Sequence, residues 1–89
     1  MQIKRVQAAS VPVVHDDNGK PMDPHKGLKA LRNRLNIPMR VVAAGCGISI
    51  STCNAWERGG VSPERLIPAL EFMEREIERR VEAAKNGGI

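Results

Sequence analysis

Tyrosine is absent from this 89-residue chain, and tryptophan and phenylalanine occur once each. A core of stacked aromatics is therefore unavailable, and a small aliphatic helical core suits the 42% hydrophobic content better than a β-sandwich does. No run approaches the roughly 20 apolar residues that a membrane-spanning helix needs, and the first residues lack the apolar segment of a signal peptide. These absences give the expectation of a cytoplasmic protein without a membrane partner. The groups of catalysis are missing as well. There is no carboxylate pair and no Cys-His or Ser-His-Asp arrangement, and Gly45-Cys46-Gly47 and Gly59-Gly60 are too sparse to cradle a phosphate. A non-enzyme without cofactor is expected, and no metal site. Cys46 and Cys53 fall at inward helical positions, as buried thiols do, while His15 and His25 lie in a segment without ligand spacing and are expected to be exposed or capping.

What is present is one small domain's length of chain and an uneven charge. The net charge is +4. Residues 27–60 hold Lys29, Arg32, Arg34, Arg40 and Arg58 against Glu57 alone, whereas residues 61–89 hold six glutamates against five basic residues. The positive field is thus concentrated on the centre of the chain, where a polyanion would dock.

That centre, Met39 to Gly59, has the pattern of two short helices around a glycine turn. A first helix from Met39 to Cys46 puts Val42, Ala43 and Cys46 on one face, and Gly47 ends it because glycine takes the left-handed conformation without steric cost. Ile48 plugs the turn. Ser49 is placed to cap a second helix, with Cys53 and Trp56 inward and Ser51, Thr52, Asn54, Ala55 and Arg58 outward. Two helices, a tight turn and a small polar outer face describe a helix-turn-helix whose second helix enters a DNA major groove.

Residues 27 to 70 resemble the Cro/repressor-like (XRE-type, lambda-repressor-like) helix-turn-helix family. A register carries the resemblance: Leu28, Leu31, Arg32, Leu35 and Ile37, then Ala43, Gly47, Ile48, Ser49, Cys53, Trp56, Glu57 and Gly59. It implies a DNA-binding fold and an inward structural ion pair between Arg32 and Glu57. Two positions depart from the family pattern. Met39 stands where a DNA-touching glutamine is frequent, which leaves Arg40 as the phosphate-binding substitute. Ala55 stands where a polar residue is frequent, and its methyl suits a thymine methyl. Base contacts are expected from Ile50, Ser51, Thr52, Asn54 and Ala55, and phosphate contacts from Arg40, Arg58, Lys29 and Arg34.

Upstream, residues 1–22 read either as a basic arm, through Lys4 and Arg5, or as a hairpin pairing Val11–His15 with Lys20–Met22 across Asn18-Gly19. Asp23-Pro24 opens a helix with Leu28, Leu31 and Leu35 inward, and Asn36-Ile37-Pro38 ends it. Downstream, Ser62-Pro63 repeats the cap-and-proline signal, and Pro68 predicts a short helix near residues 63–67 and a new one, or a kink, from Pro68 onward. Strongly helical sequence then runs to Lys85. Its stripe of Leu70, Met73, Ile77 and Val81, flanked by Glu71 with Arg75 and Glu76 with Arg80, predicts a dimerisation seam. The competing reading has Leu66, Leu70 and Met73 completing the core, with Ile77 and Val81 on an exposed tail.

The expected fold class is all-α: a compact four- to five-helix Cro/repressor-like domain with a long C-terminal helix and a short N-terminal arm or β-hairpin. Residues 1–22 form the arm or hairpin, 23–70 the DNA-binding domain and 71–89 the C-terminal helix. The expected function is a sequence-specific transcriptional regulator of double-stranded DNA. Its format suits a small homodimeric repressor of a phage, plasmid or other mobile element, acting at a pseudo-palindromic operator. Two other readings stay open: an antitoxin of the same fold that covers a toxin, and a DNA-bending or recombination-directing factor.

Overall fold

The computed structural model describes residues 1–4 and 11–87. Arg5, half of the expected basic arm, lies outside them. Strands β1 (Gln2–Lys4) and β2 (Val13–His15) precede helices α1 (Pro24–Arg34), α2 (Met39–Cys46) and α3 (Ile50–Arg58). A 3₁₀ turn over Pro63–Leu66 leads into α4 (Ile67–Gly87).

The hairpin differs from the expected one in its main partner. β2 pairs antiparallel with β1, Ile3 opposite Val14, while the Lys20–Met22 segment contributes a single bridge from His15 to Pro21. The Met22 N–H donates to the Val14 carbonyl at 2.8 Å and the Asp16 N–H to that of Lys20 at 2.9 Å. Pro21 has no N–H with which to extend that pairing, so the regular ladder forms with Gln2–Lys4. The turn itself follows its sequence: Asp16 Oδ1 accepts from the Asn18 and Lys20 amides, and Gly19 takes φ 78°. Val14 is fully buried and meets α1 at Gly27, where an added Cβ would lie 2.8 Å from the Val14 Cβ. Only glycine lets strand and helix approach so closely.

Asp23 caps α1, its Oδ2 accepting from the Lys26 N–H at 3.2 Å, with Pro24 in the first turn. At the far end Asn36 takes φ 55°, and the Ile37 N–H closes back onto the Arg32 carbonyl at 3.0 Å, which carries Ile37 into the core. That core joins Val14 to Leu28 and Leu31 of α1, Val42 and Ala43 of α2, and Cys53 and Trp56 of α3. Leu66, Ala69, Leu70 and Met73 close it from the other side.

Two expectations for the last segment need correction. Ser62 makes no side-chain cap; its carbonyl closes the 3₁₀ turn instead, accepting from the Arg65 N–H at 3.0 Å. The short helix followed by a new one is as expected: the 3₁₀ turn ends at Leu66 and α4 starts at Ile67, so Pro68 falls in its first turn, where no intrahelical hydrogen bond is lost. More consequentially, Leu70 and Met73 are fully buried within the monomer and are not available to a dimer seam. The first turns of α4 are needed to cover α1 and α2. Ile77 packs partly against the same core, Val81 is 50% exposed, and every residue from Glu78 to Gly87 is exposed.

Candidate nucleic-acid interface

Gly47 turns the chain between α2 and α3 with φ 68°, and the Ile48 N–H donates to the Ala43 carbonyl at 3.0 Å. Ser49 Oγ accepts from the Thr52 N–H at 3.1 Å and shares a second hydrogen bond with Thr52 Oγ1 at 2.9 Å. With Cys53, Trp56 and Glu57 turned inward, Ile50, Ser51, Thr52, Ala55 and Arg58 are left facing out, Ile50 being 55% exposed. Asn54 is half-buried at the edge of this face. Arg40 is exposed in the first turn of α2.

α3 is fixed from beneath by two side chains of α1, Arg32 and His25. Arg32 Nε and Nη2 donate to the two Glu57 carboxylate oxygens at 2.6 and 3.0 Å, and Arg32 Nη1 reaches the Ile37 carbonyl at 3.3 Å. The side chains are only 15% and 3% exposed. Hydrogen bonding to Glu57 pushes the Arg32 pKa above its usual value, against the opposing effect of burial. The second tie comes from His25, which is buried and takes the capping one of the two roles expected for it. Its Nδ1 donates to the Trp56 carbonyl at 2.8 Å and so satisfies one of the terminal carbonyls of α3. Cys46 and Cys53 are free thiols, and burial pushes the pKa of each upward.

The cations expected to hold phosphate are divided. Lys29 and Arg58 line a groove of about 350 Å³ together with Met39 and Asn54. They also line a second groove of about 410 Å³ that extends to Lys26, Asn33 and Gly59. Lys26 was not among the expected contacts, although its position three residues before Lys29 on one helix puts both on the same face. Arg34 is directed elsewhere, five residues on and therefore turned roughly 140° around α1. Its Nη1 lies 3.1 Å from Asp17 Oδ2 on the hairpin turn, and the N-terminal ammonium lies 2.7 Å from the other oxygen. The ammonium first, then Arg34, holds the Asp17 carboxyl below its ordinary range.

A convex helix with small polar and apolar groups, bordered by cations, can read base edges while the cations hold the backbone. No helix among the described residues is long and apolar enough to cross a membrane. A helix-turn-helix family profile matches residues 28–78, more than half of the chain. No curated protein and no solved structure matches it.

Proposed function

The chain belongs to the Cro/repressor-like, XRE-type helix-turn-helix family of DNA-binding transcription regulators, and we propose that it is a sequence-specific, homodimeric repressor. Its target is a pseudo-palindromic operator, and its setting a phage, plasmid or other mobile element, where repression works by occupancy of the promoter.

The observation that carries the reading is the exposed face of α3, small, polar and bounded by unburied cations. In this reading Asn54 and Ser51 hydrogen-bond to base edges, Thr52 adds a groove contact, and Ile50 and Ala55 make apolar contacts. Arg40, Arg58 and Lys29 hold phosphates. Residues 23–70 form the DNA-binding unit and the C-terminal end of α4 the dimer contact. Two copies would present their α3 helices about one DNA turn apart, roughly 34 Å.

In vitro selection on random duplex DNA, with footprinting of the winner and titration at two salt concentrations, tests the proposal. A two-fold symmetric site bound with steep salt dependence is the expected result, and Asn54→Ala or Ser51→Ala should shift site preference by about 1–3 kcal/mol. Weak, unselective binding would overturn the operator reading in favour of an antitoxin or a DNA-bending factor.

A further inference from the structure

Lys26, Lys29 and Arg58 have no ion-pair partner among the described residues, and all three line the groove of about 410 Å³ between α1 and the C-terminal end of α3. Neighbouring cations are committed, Arg32 to Glu57 and Arg34 to Asp17. Of the acids bordering the groove, Glu57 is balanced by Arg32, while Asp23, which caps α1 by accepting from the Lys26 amide, keeps its charge and stands alone against the three cations. The groove is therefore left with a surplus of positive charge. Its wall is also fixed, because His25 ties the Trp56 carbonyl to α1 and holds the end of α3 that carries Arg58.

We infer that this groove is a phosphodiester site, holding a backbone phosphate of the duplex beyond the stretch covered by the outer face of α3, with Lys26 as a contact. The inference rests on the DNA-binding reading above. Lys29 and Arg58 also line the adjoining groove that runs to Asn54, so a backbone leaving the base-reading face meets Arg58 and Lys29 before Lys26. Lys26 and Lys29 are separated by about 4.5 Å along the axis of α1. Both ammonium groups can therefore reach the same phosphate.

Lys26→Ala, compared with the unaltered protein for duplex binding between 50 and 200 mM salt, tests the site. Lys20→Ala, on the exposed hairpin turn, serves as control, and thermal melting checks the fold. Lys26→Ala should weaken binding to selected and random duplexes alike. It should also shrink the loss of affinity across that salt range by about 3.5-fold, the share of one phosphate contact. Lys26→Arg should restore both, and Lys20→Ala should change neither. If the unaltered protein binds duplex steeply and Lys26→Ala keeps the same salt dependence, the groove assignment is overturned while the DNA reading stands. Failure of the unaltered protein to bind duplex at all overturns both. A third arm separates the sources of phosphate: thermal stabilisation by millimolar inorganic phosphate, lost in Lys26→Ala while duplex binding is unchanged, would reassign the groove to a small free anion.

Discussion

Arg32 and Glu57 meet in two hydrogen bonds with little access to water, so each is the other's main source of solvation. Glu57→Gln would leave a guanidinium in a half-buried position with no counter-charge, and the expected loss is about 3 kcal/mol. Urea denaturation would show it as a lower midpoint at unchanged slope. The double variant Arg32→Met/Glu57→Leu should lose less than the sum of the single changes, because no charge is stranded. A loss below about 1 kcal/mol for Glu57→Gln would mean that the pair behaves as solvated surface charge. The pair is legible in the register of the motif itself, because the family pattern fixes both positions. His25 is a different matter. A histidine beside Lys26 in a polar stretch reads as exposed or capping with no partner named, and only the crossing of α1 under α3 brings its ring to a carbonyl 31 residues away. Gly27 is equally silent, since the strand that needs its missing Cβ is set by long-range packing.

Among the elements, α1 to α3 were legible because caps, positive-φ turns and helical periodicity are local. The hairpin register was not, since Gln2–Lys4 reaches β2 across residues 5–12 rather than across the Asn18-Gly19 turn. α4 shows a further limit: a stripe at steps of three and four specifies a face but not what covers it, and Leu70 and Met73 serve the core. The exposed half of that helix carries its own testable electrostatics. Glu76 accepts from Arg79 Nε at 3.1 Å and Arg80 Nε at 3.0 Å, and these bonds hold its carboxyl at about 2, against an ordinary 4.5. A folded-state pKa below the unfolded one stabilises at pH above 4.5, and that contribution is lost as pH falls toward 2. Solvent and salt screen the site, so about 1 kcal/mol or less is at stake. Thermal melts between pH 5 and pH 2.5 should fall less steeply for Glu76→Gln than for the unaltered protein, and the difference should shrink at high salt. Equal slopes would show that the cluster contributes nothing to folding.

For the whole molecule, the 44 Å long axis exceeds the other two, 27 and 23 Å. α4 alone spans about 31 Å. Arg80 Nη1 latches the helix to the Leu35 carbonyl at 2.8 Å, yet the side chains beyond Ile77 are exposed. With Leu70 and Met73 withdrawn into the core, the seam of the proposed dimer is reduced to Ile77 and Val81, far short of the three to four heptads that sustain a coiled coil. Such a contact is weak between free molecules. It gains effect when two half-sites hold the copies side by side, because the second contact then forms at high effective concentration. Val81→Asp isolates the contact, since a half-exposed position should leave monomer stability within about 0.5 kcal/mol. Affinity for a single half-site should be unchanged, while affinity for the full symmetric site should fall about tenfold or more, as a loss of roughly 1.4 kcal/mol of pairing energy would produce. Gel-shift titrations on half and full sites, with sedimentation of the free protein, would measure both. Undiminished cooperativity on the full site would remove the end of α4 from the dimer and require the copies to meet through another face.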